Sequence, residues 1–244
     1  MDIRHLGNGV IYIENLIDSI PESFKTNLDE ISASIPPQSY STVGDKTVNG
    51  GGYEMSSEEK SRSPERFTNL SNNMSFAKEL SDLAYVGLIE YLKVFPIAIE
   101  CVTARCGGHL IRYTQGQEMG PHSDCALPYR SGTLEPLSLS PLGNTLTSAI
   151  FLNDEYTGGN VSFRIWGIAV KPKAGSMLIY PSSFVGCHEV ATVESGVRWV
   201  FLERFYQGGP GNLDIRYKWI EKLKSDIGLT NSEQKQVLVG PVNL

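Results

Sequence analysis

From Glu100 to Tyr206 the chain is a succession of short runs rich in β-branched and aromatic residues, each cut off by glycine or proline. Runs of this kind fold as strands, and many short strands in series close into a sandwich or barrel. The clearest runs are 109–114, 145–153, 160–163, 176–180, 188–193 and 198–205, with Gly158 and Gly159 reading as a tight turn between two of them. A mainly β core is therefore the first constraint on the fold.

Around that block the periodicity changes. Residues 10–13 predict a short strand, and 14–34 show helical spacing in two pieces broken near Pro21. Residues 36–64 lose all periodicity and hold Pro36, Pro37 and the Gly50-Gly51-Gly52 run, which predicts a long irregular loop. Helical spacing returns over 72–95, where Phe76, Leu80, Leu83, Leu88 and Leu92 form an apolar stripe that Pro96 closes. It resumes over 213–227 through Trp219, Ile220, Leu223 and Ile227, a stripe expected to pack on its own domain. Thr230 and Glu233 are spaced as a capping box for a short final helix. The expected organisation is one domain over 1–244, mainly β in an α+β setting. Within it, 1–99 give N-terminal helical support and an irregular loop, 100–206 the β core, and 207–244 a C-terminal helical extension.

With 41% hydrophobic and 20% charged residues, the chain can bury a full core without metal or disulfide staples. A net charge of -6 and a pI near 5.3 argue against a broad footprint for nucleic acid or an anionic membrane, leaving a small-molecule or peptide substrate. The first residues do not read as a signal peptide, and no segment is apolar over the length needed to span a bilayer, so a soluble cytoplasmic protein is expected. Cys101, Cys106, Cys125 and Cys187 show no CxxC spacing and are expected to be reduced structural thiols.

Four histidines occur, at 5, 109, 122 and 188. In Pro121-His122-Ser123-Asp124, the histidine and the aspartate are two apart, so an extended segment sends both side chains to one face. His188 from another strand completes a set of two imidazoles and one carboxylate, which leaves one face of an octahedral iron(II) open for co-substrate and dioxygen. A lone HxD is weak evidence, since such pairs are commonly surface hydrogen-bonded couples. Ten positions after His188, Arg198 opens the run RWVFLERF, in which Arg198, Val200 and Leu202 share one face and Trp199, Phe201 and Phe205 the other. A guanidinium among apolar neighbours needs an anionic partner. That partner is either the far carboxylate of a dicarboxylate chelating the iron, or a structural acid such as Glu189 or Glu203. His5 and His109 read as surface or structural histidines. Tyr180 and Thr147 are placed equally well at the pocket wall or as ordinary sheet residues.

The runs IRYTQGQEMGPHSD, FLNDEYTGGNVSFR and KPKAGSMLIYPSSFVGCHEVATVESGVRW resemble the prolyl 4-hydroxylase-like branch of the Fe(II)/2-oxoglutarate-dependent dioxygenases. The resemblance covers roughly residues 100 to 206. It implies a double-stranded β-helix (a cupin-like jelly roll) with helices packed on one sheet. It also implies His122, Asp124 and His188 as the catalytic iron ligands, Arg198 as the anchor of the far 2-oxoglutarate carboxylate, and Tyr113 as a phenol reaching the same co-substrate. Fe(II), 2-oxoglutarate, dioxygen and ascorbate as accessory reductant follow with it. The match is to the arginine-bearing members, because many animal members carry lysine where Arg198 stands. Halogenases of this superfamily replace the carboxylate by a small residue, so Asp124 points to hydroxylation. The expected activity is attack on an unactivated C–H bond, most plausibly of proline or another amino acid, free or in a peptide, with release of succinate and CO2. Desaturation or cyclisation with the same cofactors, and a silent jelly-roll binding module, stay open at this stage. The irregular stretches 36–64 and 125–144 are expected to set specificity, the second as a lid offering Tyr129 and Arg130.

Overall fold

The computed structural model describes residues 1–37, 41–43, 46–48, 56–125, 143–207 and 213–229. In chain order the elements are β1 (Asp2–Gly7), β2 (Val10–Glu14), α1 (Glu22–Ser34), β3 (Ser41–Val43), β4 (Lys46–Val48), α2 (Ser57–Arg62), β5 (Glu65–Phe67) and α3 (Met74–Val94). The core follows with β6 (Ala104–Tyr113), β7 (Met119–His122), β8 (Asn144–Phe151), β9 (Tyr156–Gly158), β10 (Val161–Phe163) and β11 (Ile168–Val170). It continues through β12 (Met177–Pro181), β13 (His188–Val190), β14 (Val193–Gly196) and β15 (Arg198–Tyr206), after which α4 (Leu213–Asp226) is the last described helix.

The strands form a seven-stranded antiparallel sheet in the order β1-β2-β12-β8-β15-β6-β5 and a smaller one in the order β11-β10-β13-β7, with β14 and β9 paired beside them. Apart from the neighbouring pairs β1-β2, β5-β6 and β10-β11, adjacent strands are distant in sequence, which is the crossover connectivity of a jelly roll. Alternation along the strands explains the layering. One face of the large sheet contributes Ile111, Tyr113, Ala149, Phe151, Leu178, Tyr180 and Val200, which meet Val161, Phe163, Val170 and Val190 of the small sheet. The opposite face contributes Ile13, Leu110, Ile150, Met177, Trp199, Phe201 and Phe205, and these pack against Phe24, Leu28 and Ile31 of α1 and Phe76, Leu80, Leu88 and Leu92 of α3. Side chains of this size each contribute roughly 1.5–3 kcal/mol when fully buried. Helices on one side and the small sheet on the other thus hold the central strands rigid, and those strands carry the site.

The expected core strands are all present; instead of the expected tight turn, Gly158 ends β9 and Gly159 leads on to β10 in another sheet, with φ of 70° and 63°. Several local expectations change. Only the second piece of the 14–34 segment is helical, beginning after Pro21. Asn15 turns the chain at φ 54°, and Leu16, Ile17 and Ile20 pack on the core from a turn tied to Gly175 O by Ile17 N at 3.0 Å. Their spacing reflects docking of that turn rather than a helix. Within 36–64, β3, β4 and α2 replace part of the expected loop. Helix α2 is set by a capping box in which Ser56 and Glu59 exchange hydrogen bonds.

Helix α4 packs on its own fold, with Leu223 buried and Trp219 Nε1 donating to Val102 O at 3.0 Å. Cys125 and Cys187 are free and half-buried, whereas Cys101 is exposed, because it ends a surface turn instead of facing the core. No helix among the described residues is long and apolar enough to cross a membrane. The Thr230–Glu233 capping box and the proposed lid residues Tyr129 and Arg130 lie outside the described residues.

Candidate metal centre and its pocket

His122 and His188 are register partners where β7 and β13 pair antiparallel. Cross-strand partners stand side by side on one face, and the two imidazoles are 4.4 Å apart between ring centroids. Asp124, just past the end of β7, brings its carboxylate to the same point, so that one ligand atom from each of the three lies within 4.8 Å of the others. His122 Nδ1 is 2.8 Å from Gly120 O and His188 Nδ1 is 2.9 Å from Gly186 O. Each ring therefore donates from Nδ1 to the carbonyl two residues upstream. Fixing that tautomer leaves both Nε2 lone pairs for a metal, which is the outer hydrogen bonding that metal-ligating histidines use.

Burial opposes the charge of Asp124, yet His188, Arg204 and His122 around it and a hydrogen bond from Thr147 hold its carboxyl below the ordinary carboxylate range. Burial pushes His188 down to about 4, reinforced by His122 and opposed by Asp124. At neutral pH the cluster is thus a carboxylate with a neutral His188, the protonation state a divalent cation requires. Tyr180 Oη donates to Asp124 Oδ2 at 3.3 Å and lies 3.2 Å from His188 Nε2. Of the two readings left open for Tyr180, the pocket one holds. Thr147 stands behind it, hydrogen-bonded to Ser182 at 2.9 Å.

The second group in the site is also a register pair. Arg198 opens β15 directly opposite Tyr113 at the end of β6. The guanidinium lies 4.7 Å from the Tyr113 ring centroid and 5.2 Å from that of Phe151, and it is 2% exposed. Its Nε and Nη1 are buried without a hydrogen-bond partner, as is the Tyr156 hydroxyl. The two acids offered by the sequence are engaged elsewhere. Glu189 pairs with Arg164 at 2.5 Å, and Glu203 pairs with Arg105 at 2.9 Å on the opposite face of β15. Unsatisfied guanidinium nitrogens are expensive in a closed protein, so this is a cradle for an anion. Gly159 makes it possible, since a Cβ there would come within 3.0 Å of both Arg198 Cδ and the Tyr156 ring. The Tyr113 phenol makes a long contact, 4.0 Å, with Met119 Sδ, and burial pushes it above its ordinary value, opposed by Arg198.

Both groups open into one cleft, walled by Ile111, Ala149, Val161, Leu178, Val190, Val200 and Leu202. An apolar wall with a few convergent polar groups is the lining that orients a small ligand. His122, Asp124, His188, Arg198 and Tyr113 all line it. His109 does not lie on the surface, as one of its readings had it. It is buried beside Arg204 and Arg66, with Nε2 unpartnered. Arg204, which the sequence reading passed over, lines the cleft too. Continuing the alternation of Arg198, Val200 and Leu202 by one more step reaches it.

Residues 108–206 match the family described as the 2OG-Fe(II) oxygenase superfamily. The β core of this chain is thus similar to that of the 2OG-Fe(II) oxygenases, oxidoreductases that work with ferrous iron and 2-oxoglutarate. No curated protein matches the chain in sequence. Among solved structures, a prolyl hydroxylase from Trichoplax adhaerens in complex with a hypoxia inducible factor oxygen degradation domain peptide fragment is 15% identical. It superposes with a TM-score of 0.57 over 86% of this chain and 87% of that one, which shows a common fold. A Pseudomonas putida prolyl-4-hydroxylase is 13% identical, with a TM-score of 0.48 over 82% of this chain and 94% of that one. The viral collagen prolyl hydroxylase of Paramecium Bursaria Chlorella virus-1 is 16% identical, with a TM-score of 0.44 over 61% and 82%.

Proposed function

We propose that this protein hydroxylates an unactivated C–H bond of proline or another amino acid, free or in a peptide, and releases succinate and CO2. In this reading His122, Asp124 and His188 hold Fe(II), while Arg198 and Tyr113 orient 2-oxoglutarate. The observation that carries it is the buried, unpartnered edge of Arg198 in the same cleft as a histidine–aspartate–histidine cluster. A five-carbon diacid chelating a metal at one end needs a fixed cation at the other, and arginine's planar fork suits a carboxylate.

Iron and 2-oxoglutarate would supply the oxidative decarboxylation and the oxidising power for C–H cleavage. The chain supplies position and exclusion of water. Gly120 and Gly186 carbonyls lock the two histidine tautomers. Tyr180 holds the Asp124 oxygen Oδ2, leaving Oδ1 directed at the cluster. Phe151, Val200 and the wall opposite close the cleft around Arg198, where a low dielectric strengthens a carboxylate–guanidinium pair. Asp124 would supply a carboxylate ligand where halogen chemistry needs an open position, which favours hydroxylation. The prolyl hydroxylase folds among its structural neighbours make proline the first candidate.

The test is anaerobic addition of Fe(II) and then 2-oxoglutarate, followed by admission of air with prolyl peptides and free amino acids, with and without ascorbate. A visible charge-transfer absorption, succinate release and a one-oxygen mass gain on one substrate are expected. Failure to develop the absorption, together with no succinate, would remove the reading.

A further inference from the structure

We infer that the substrate of this site carries a carboxylate close to the carbon attacked, and that Arg204 receives it. The inference rests on the metal and co-substrate reading just given and narrows it from any amino-acid unit to an anionic one.

Arg204 lies on β15 six residues beyond Arg198 and faces the same cleft. Six residues of strand span roughly 20 Å, so the two arginines are rooted at opposite ends of the pocket. Among the described residues Arg204 forms an ion pair with Asp124, with Nη2 3.7 Å from Oδ1, too long for a hydrogen bond. Its Nε is buried without a hydrogen-bond partner, although the side chain as a whole is 25% exposed toward the mouth. Arg204 thus shares one feature with Arg198, a buried Nε without a hydrogen-bond partner on a guanidinium that lines the cleft, while its Nη2 keeps a long ion pair to Asp124.

Counting charge shows that the two edges need different anions. Two charges on Fe(II) would be met by Asp124 and by the co-substrate carboxylate that chelates the metal. The far carboxylate of 2-oxoglutarate would meet Arg198. One diacid then has no charge left for Arg204, and a five-carbon chain does not reach both ends. Arg66 lines the same cleft. His109, buried between them, is pushed down to about 3 by burial and then by Arg204 and Arg66, so it is neutral and adds no positive charge. The walls between the arginines are Ile111, Ala149, Val200 and Leu202, which offer an apolar stem no compensating group. A guanidinium in that setting is satisfied by a planar oxyanion bound edge-on, and a carboxylate has that shape. An internal residue of a peptide presents an amide at this place. A free amino acid, a chain-terminal residue or an acidic side chain presents the anion.

The experiment uses the full chain loaded with 2-oxoglutarate and either Fe(II), for succinate release, or Mn(II), for calorimetric binding without turnover. The panel is the twenty amino acids, each as free acid, α-amide, N-acetyl acid and N-acetyl amide. The best member is expected to be an acid, with the matching amide about 30-fold weaker in Kd and in kcat/KM. In Arg204→Gln that gap should close to about threefold, while Arg204→Lys restores part of it. Equal acid and N-acetyl acid would mark a chain-terminal residue, loss on acetylation a free amino acid, and tolerance of the α-amide by aspartate or glutamate a side-chain carboxylate. An amide as good as its acid, a gap that survives in Arg204→Gln, or no acid that binds would each overturn the inference. Absence of the Fe(II)–2-oxoglutarate absorption in the wild-type protein would instead remove the parent reading, so the two failures are distinguishable.

Discussion

His122 and His188 are register partners on adjacent strands, and each ring is pinned by the carbonyl two residues before it. Two of the proposed ligands are thus set by sheet geometry rather than by loop conformation. We therefore expect His122→Ala and His188→Ala to fold normally and to bind Mn(II) at least about 100-fold more weakly, beyond what loss of an outer-shell partner does. Calorimetric titration checks the affinity. In the wild type, metal at 100 times its Kd should add about 2.7 kcal/mol to unfolding free energy, and in the variants almost nothing.

Arg198 predicts a split between binding and stability. Its Nε and Nη1 have no partner in the folded chain, so removing the charge relieves a penalty instead of breaking a bond. Arg198→Met should leave the ligand-free protein at least as stable as wild type in urea. The same change should weaken 2-oxoglutarate by about 2–5 kcal/mol, the usual loss when one member of a buried charge pair goes. If Arg198→Met instead unfolds the chain, the guanidinium is structural and the anchor assignment fails.

Glu203 tests the opposite case from the other face of the same strand. Its carboxylate is 2% exposed and takes Arg105 Nε at 2.9 Å, Arg105 Nη2 at 3.1 Å and Ser81 Oγ at 2.7 Å, tying β15 to α3. Glu203→Ala leaves Arg105 half-buried and unpaired, which should cost about 3–5 kcal/mol. Denaturant midpoints would read the loss. The Kd for 2-oxoglutarate, measured where the variant is still folded, should stay within about twofold, because Glu203 and Arg198 point to opposite sides of the sheet.

Much of this was legible in the sequence, for a physical reason. Strand alternation is strict, so Arg198, Val200 and Leu202 could be assigned to one face of β15 and Trp199, Phe201 and Phe205 to the other before any coordinates, and they stand there. The triad was legible because HxD needs only that alternation. Arg204 was missed through stopping the count early. Strand β1 has exposed, unpatterned side chains, and its one clue was Asn8-Gly9, whose φ of 50° and 76° form the hairpin turn. Likewise the Ser56–Glu59 box was present but sat in a stretch without apolar periodicity, and α2 buries nothing. Elements that do not face the core leave no apolar pattern to read. The choice between Glu203 and a ligand as the partner of Arg198 was beyond sequence, because pairing across β15 depends on which neighbouring helix supplies Arg105.

Acid stability should carry the mark of His109. Burial, then Arg204 and Arg66, lower this histidine from 6.5 to about 3, so the folded chain holds it neutral while the unfolded chain protonates it near its ordinary value. For a base whose folded value is depressed, the unfolded state binds more protons below that ordinary value. The stability it allows is therefore complete above about pH 6.5 and is lost as pH falls toward 3. One proton corresponds to about 1.4 kcal/mol per pH unit across that window. Replacing His109 by glutamine removes the titration while keeping a polar side chain of similar reach. Urea unfolding of the metal-free protein at pH 7, 6, 5 and 4 should give a wild-type curve steeper than that of His109→Gln by up to one proton. His188, lowered to about 4, contributes the same to both and drops out of the difference. Parallel curves would mean that His109 is protonated in the fold, and its neighbours Arg66 and Arg204 would then have to be matched by a nearer anion.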